Sequence, residues 1–407
     1  MATVVLIGTM DTKGEEYAWI ADRVRAHGAS TLTVDVGVFS ESDADVTAAT
    51  VAEAGQADLT VLRKAGDRGA AMEAMAVGAA SVALALYAEG RLDGVLAVGG
   101  SGGSSVASRA MRALPVGVPK LLVSTMASGD VSPYVGESDV TLMHSVVDVA
   151  GINSLSEQVF DNAAAAIAAM AGAQEARRGA PAEEQRPLVG VTMFGLTTPA
   201  ADEARAELSG LGYEPLVFHA TGAGGRALEK LARDGRLVGV LDLTTTELAD
   251  DLAGGVLSAG PHRLEAAGEK GIPQVVSLGA LDMVNFGPRE TVPAGFDDRT
   301  FLIHNPTVTL MRTTPEENAE LGRRIGVKVS RARGPVAVLL PLRGVSGIDK
   351  EGGPFRDATA DEELFAALRG ALTGSPAEIV EVDQHINDPG FGRAAARHLH
   401  RLITSPR

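Results

Sequence analysis

Short apolar runs separated by amphipathic stretches recur along the whole chain. The first, Val4-Val5-Leu6-Ile7, is too short for a helix and lacks polar alternation, the pattern of a strand buried on both faces. A helical pattern from Glu15 to Ala26 comes next and stops at Gly28, a C-cap signal. Thr31–Val36 reads as the second strand, Met72–Glu89 as a long helix stopped by Gly90, and Gly94–Val98 as a strand. Ser105–Leu114 reads as a helix, Lys120–Ser124 as a strand and Leu155–Met170 as a helix. Buried strands alternating with amphipathic helices predict a parallel sheet covered on both faces.

Periodicity fails from Gly172 to Pro187 and restarts at Leu188. This divides the chain into a domain at 1–172, a linker at 173–187 and a larger domain at 188–407. The second half echoes the first. Val4–Met10 has its counterpart in Val189–Gly195, and Glu89–Leu96 in Asp234–Leu241. Val116–Ser124 likewise matches Lys270–Ser277. Three correspondences in one order predict an internal duplication of a doubly wound α/β unit with mainly parallel sheets. The second half adds a helix near Pro315–Ala332, a strand at Val336–Leu340, a helix at Glu362–Leu372, a strand at Ile379–Val382 and a helix near Gly392–Leu402.

Composition narrows the function classes. The 407 residues include 36 basic and 52 acidic ones, a net charge of −16. That field repels a phosphate backbone, so nucleic acid is not an expected partner, although a local basic pocket for a small phosphate is compatible with it. Without cysteine there is no disulfide, thiolate or Cys-based zinc chemistry. The N-terminus has no signal-peptide pattern and no apolar run reads as a membrane span, so the expected location is the cytoplasm.

In open parallel sheets ligands gather at the carboxyl ends of strands. After the first strand comes Gly8-Thr9-Met10-Asp11-Thr12-Lys13-Gly14-Glu15. Thr12 and Glu15 have capping-box spacing. Lys13 opposes the helix dipole unless an anion binds there, which favours a phosphate role for Gly8, Thr9 and Lys13. After the third strand comes Gly99-Gly100-Ser101-Gly102-Gly103-Ser104-Ser105. Four glycines between a strand and a helix exceed what a turn needs, and they let backbone amides reach an anion. The stretch fits neither the Walker pattern nor G-x-G-x-x-G. Ser124, Thr125 and Gly129 come after the next strand. Asp130 there is a candidate magnesium ligand through water, or a plain cap. Asp35, ending the second strand, is a candidate acceptor for a ribose hydroxyl or a solvated carboxylate. In the second half His219, Thr221, His304 and His385 fall at strand ends, either as converging acid/base or metal-binding groups or as locally bonded side chains. Thr244 and Glu247 again have capping-box spacing.

Taken together, several stretches resemble the Tm-1-like ATP-binding family, bacterial and fungal proteins related to the N-terminal region of a plant virus-resistance protein. They are Gly8–Lys13, Gly99–Ser104, Met111–Pro115, Ser124–Asp130 and Asp148–Asn153, with Phe218–Gly225, Leu281–Phe286 and His385–Asp388 in the second half. Ser104 stands where that family's pattern continues with Thr, which keeps the hydroxyl. The resemblance implies two Rossmann-like domains and ATP, with Mg²⁺, bound in the first. It places the phosphates on Gly99, Gly100, Ser101, Gly102, Gly103 and Ser104, with Gly8-Thr9 and Ser124-Thr125 beside them. It also implies self-association as a homodimer or higher oligomer. Two functions compete: an ATP-dependent enzyme performing phosphoryl transfer or ligation on a small metabolite at the interdomain cleft, and a non-catalytic nucleotide-binding module. A dinucleotide oxidoreductase is the weakest reading because the dinucleotide fingerprint is missing.

Overall fold

The computed structural model of the protein describes residues 1–179 and 186–405. The chain forms two compact units, Met1–Glu183 and Glu184–Arg407. The first contains β1 (Thr3–Gly8), β2 (Ser30–Asp35), β3 (Gly94–Gly99), β4 (Lys120–Ser124) and β5 (Thr141–His144). The second contains β6 (Leu188–Met193), β7 (Glu214–His219), β8 (Gly239–Thr244), β9 (Gln274–Gly279), β10 (Met283–Phe286), β11 (Phe301–Asn305), β12 (Val308–Arg312), β13 (Val336–Pro341) and β14 (Glu378–Val382).

The first unit is one parallel sheet of order β2-β1-β3-β4-β5. The main sheet of the second, also parallel, runs β7-β6-β8-β9-β13-β14. The two orders agree strand for strand, and β14 is an addition at the edge. This is the doubly wound α/β architecture expected from the repeated pattern. β1 shows why its run is apolar throughout. Val5 and Ile7 face one core, with Met75, Ala79 and Val106 from the helices Arg68–Ala88 and Ser101–Ala113. Val4 and Leu6 face the other, with Tyr17, Ile20, Phe160 and Ile167 from the helices Met10–Ala26 and Ser154–Gly179.

Several boundaries differ from the periodic reading. The helix after β3 begins at Ser101 rather than Ser105, so Gly102 and Gly103 belong to its first turn instead of a loop. The helix after β1 begins at Met10, and Lys13 interrupts it with φ −133° and ψ 20°. The helix Ser154–Gly179 takes in residues 173–179 of the expected linker. Its last turns are Gln, Glu, Ala and Arg, good helix formers that carry no apolar period. Residues 180–185 of that linker lie outside the described residues. Two short helices, Ala48–Ala54 and Leu59–Ala65, and the antiparallel sheet β10-β12-β11 escape the pattern because each is brief. The helix Arg68–Ala88, with a mean hydropathy of 1.6, is long and apolar enough to cross a membrane by length and composition, contrary to expectation. Here it is a core helix, burying Met75, Ala76, Ala79, Ala83 and Leu86.

Candidate functional site

In the first unit the strand order reverses between β1 and β3, and a cavity of about 610 Å³ opens at their carboxyl ends. A doubly wound sheet offers a crevice at this point. Tyr17 joins these two strands. The buried phenol donates to the Ile7 carbonyl (2.6 Å) and accepts from the Val98 amide (2.8 Å), tying β1 to β3. Burial pushes its pKa above the usual phenol value. A Cβ at Gly8 would stand 2.0 Å from the Tyr17 ring. Gly8 is therefore a packing glycine and does not line the cavity.

One end of the cavity suits an anion. The helix Ser101–Ala113 starts there with Gly100 as its N-cap, and no side chain caps it. Its first-turn amides and the positive end of its dipole therefore face the cavity without an internal partner. Gly99, Gly100, Ser101, Gly102 and Gly103 all line it. A Cβ on Gly102 would stand 3.5 Å from the Arg68 guanidinium, so the missing side chain leaves this cation beside the glycine turn. Thr9, Thr12 and Lys13 line the cavity as well. The Thr9 and Thr12 hydroxyls bond each other (2.8 Å), in place of the capping box expected between Thr12 and Glu15. The Lys13 ammonium donates to the Val149 carbonyl, and Glu16 accepts from the Gly151 amide (2.7 Å). These two bonds fasten the Asp148–Asn153 stretch to the first helix.

Val36, Val38, Phe39, Leu62 and Met75 add an apolar wall, while Met72 lies beside Gly102 with Arg68. Arg63 holds this wall in place by donating to the carbonyls of Val38 (2.6 Å) and Ser40 (2.7 Å). Asp11 abuts it. One of its oxygens accepts from the Phe39 amide (3.2 Å), and its carboxylate occupies the space that a Gly37 Cβ would take.

Other expected site residues lie elsewhere. Asp35 is buried and spent internally, accepting from the amides of Met10 (3.1 Å) and Gly37 (2.8 Å) and from the Ser42 hydroxyl (2.5 Å). Ser104 turns its hydroxyl inward to Ser124 (2.7 Å), and Ser124 also accepts from the Met126 amide. Neither serine lines the cavity, nor do Thr125, Gly129 and Asp130. Asp130 accepts from the Ser132 amide (3.0 Å) and hydroxyl (2.7 Å), which hold its carboxyl below the usual range. No group of three or more His, Asp or Glu with metal-binding geometry occurs among the described residues.

The second unit closes its equivalent positions with its own side chains. Arg263 is fully buried between Asp242 (2.5 and 2.6 Å), Glu247 (2.6 Å) and Glu229 (3.4 Å). Glu247 does not close a capping box with Thr244. It accepts from the amides of Gly222 (2.7 Å) and Gly225 (3.0 Å), while the Thr244 hydroxyl bonds Thr197 (2.7 Å). A Cβ at Gly225 would stand 2.2 Å from the Glu247 carboxylate, so the glycines of Thr221–Gly225 admit an internal anion.

The histidines do not assemble. His385 donates from Nε2 to the Ser346 carbonyl (2.7 Å) and accepts at Nδ1 from the Asn387 amide (3.1 Å). Both ring nitrogens are thus engaged. His219 is exposed against the Phe194 ring, with centroids 5.6 Å apart, and Thr221 donates to its carbonyl. His304 is exposed within β11. No bond or ring contact joins the three among the described residues.

Sequence reasoning missed Arg68, Asp67 and the Val36–Phe39 wall. Arg68 escapes a search of strand ends, because it arrives at the start of a helix that comes directly after another helix. Asp67 caps that helix by accepting from the Ala70 amide (3.0 Å), so the Asp67-Arg68 pair was the available signal.

The N-terminal domain model of the uncharacterised protein family UPF0261 matches residues 2–176, and the C-terminal domain model of that family matches 186–403. A UPF0261 protein of Clostridium tetani is 50% identical over 403 residues, covering 98% of each chain. One from Rhizobium meliloti is 46% identical over 410 aligned positions, covering all of both. The ToMV resistance protein Tm-1(GCR237) of Solanum lycopersicum is 40% identical over 410 positions, covering 96% of this chain and 54% of that protein. The chain belongs to the UPF0261 family, and the tomato Tm-1 proteins are its homologues.

Proposed function

We propose that the first unit binds ATP in the cavity between β1 and β3 and that the protein acts as an ATP-binding module. The observation that carries this reading is the uncapped glycine turn at Gly100–Gly103, which opens into a cavity lined by two cations, Arg68 and Lys13, and by apolar side chains. The triphosphate takes the first-turn amides, with Arg68 and Lys13 as counter-charges. The base lies against Val36, Val38, Phe39 and Leu62. The ribose falls to Asp11, whose second oxygen has no protein partner among the described residues. In a doubly wound fold the acid ending the second strand usually holds the ribose, but here that acid, Asp35, is already occupied. No magnesium ligand is assigned, because Asp130 is outside the cavity wall.

The second unit supports a binding role confined to the first. Its Gly222–Gly225 amides already hold Glu247, and its histidines stand apart. Calorimetric titration with ATP, 2′-deoxy-ATP and NAD tests the assignment. ATP is expected to bind the wild type about tenfold more tightly than 2′-deoxy-ATP, the effect of one hydrogen bond to a charged acceptor. Asp11→Asn should erase most of that preference. Tighter binding of NAD than of ATP would reject the reading.

A further inference from the structure

A second recess, of about 380 Å³, lies between the helices Ser101–Ala113 and Arg68–Ala88 and shares Met72 with the larger cavity. Its wall carries Ser105, Ser108, Arg109 and Arg112 from the former, with Glu73 and Tyr134 opposite. Arg109 pairs with Glu73 at 2.8 Å on the exposed rim. Arg112 is different. It is half-buried, its Nε is sealed from solvent, and that nitrogen has no hydrogen-bond partner. No carboxylate pairs with it among the described residues.

The sealed Nε is beyond the reach of a ligand, so the two terminal nitrogens, which no protein acceptor takes among the described residues, are what the recess offers. The backbone makes room for the side chain. Gly136 has φ +53°, and a Cβ there would stand 2.9 Å from the Arg112 Cδ. With Glu73 committed to Arg109, the recess keeps one uncompensated positive charge. Ser105 and Tyr134 also line the recess, and their hydroxyls have no protein partner among the described residues. The paired N–H groups of a guanidinium match the planar, multidentate shape of an oxyanion.

We propose that this recess binds the oxyanion of a small molecule, a carboxylate or a phosphate, on Arg112, as a site separate from the nucleotide cavity. Its chemistry is independent of whatever fills that cavity. The test uses inorganic phosphate and succinate as probes, titrated calorimetrically into the full chain. Gly102→Asp, which places a carboxylate at the glycine turn, removes competing binding there. In that background at least one probe is expected to bind with one site per chain. Adding Arg112→Gln should weaken it at least about tenfold, and Arg112→Lys by less, since Lys keeps the charge without the fork. Arg109→Gln, on the exposed rim, serves if the Arg112 variants melt early, and it too should weaken binding. Binding of succinate alone identifies a carboxylate site and binding of phosphate alone a phosphoryl site. If neither probe binds the Gly102→Asp protein, or binding survives both Arg112→Gln and Arg109→Gln unchanged, the proposal is overturned.

Discussion

Arg263→Met is expected to abolish stable folding of the second unit at neutral pH. Arg263 is the cation among Asp242, Glu247 and Glu229, and all four side chains are buried. Glu229 would stay satisfied, because it also accepts from the amides of Leu264, Glu265 and Ala266. Asp242 would keep only the Thr192 hydroxyl, and Glu247 only the two glycine amides. Breaking one buried pair by removing a partner costs about 3–5 kcal/mol. Arg263 serves two close partners, and the whole stability of a domain is about 5–15 kcal/mol. Methionine fills similar space, so the loss is electrostatic rather than a cavity effect. Urea titration followed by circular dichroism would read it. Adding Asp242→Asn and Glu247→Gln should restore part of the midpoint. An unchanged midpoint in Arg263→Met would contradict the account.

The second large effect is on pH dependence. Asp282 is fully buried. One oxygen accepts from Ser346 (2.7 Å), and the other has no partner. Burial, with Asp349 nearby, pushes its carboxyl up to about 8, against the pull of Arg312. Asp361 is pushed up to about 7 by burial and Asp349, against Arg312 and Arg356. Burial likewise raises Asp250 to about 7, although Asn285 donates to it. In the folded chain these acids keep protons that the unfolded chain has released. Their contribution to stability is therefore fully present below the unfolded carboxyl value of about 4, is lost as pH rises towards 8, and levels off above. Asp282→Asn supplies a neutral group of the same shape. It should flatten the fall between pH 5 and 8, and at pH 8 exceed the wild type by roughly 2–5 kcal/mol. Denaturant midpoints across that range would show it. A variant less stable at pH 8, with an unchanged slope, would rule this out.

The elements with strong local signals were legible in the sequence. β1, β3 and β13 are continuous apolar runs because both faces of each are covered. The repeated Gly-Arg-Leu and Gly-Ile/Val-Pro punctuation announced two sheets of one order. The glycine turn was found, but its conformation was not. Gly102 and Gly103 look like loop residues by propensity, yet they continue a helix whose N-terminus needs no side chain. In the second unit the expected chemistry at His219 and Thr221 does not assemble, and the glycines that follow them hold an anion of the chain's own, Glu247. Nothing local to either segment reveals that pairing, because the two meet only when β7 and β8 pack against β6. Arg68 and Arg112 were hidden for a related reason. Each side chain gains meaning from what lies opposite it across a helix contact, and sequence periodicity does not reach across such contacts.

The contrast between the two units supplies the most direct test of the nucleotide assignment. In the second unit a carboxylate occupies glycine amides, whereas in the first the glycine turn faces the cavity without a cap. Gly102→Asp would give the first unit a carboxylate of its own. A Cβ at Gly102 meets nothing closer than 3.5 Å, and an acid in a first helical turn is favoured by the dipole, so the variant should fold normally. Calorimetric titration with ATP of the wild type and of Gly102→Asp is the decisive measurement. The wild type is expected to bind one ATP per chain, and the variant to bind it at least about a hundredfold more weakly through like-charge repulsion. No ATP binding by the wild type, or equal affinity in both proteins, would contradict the account.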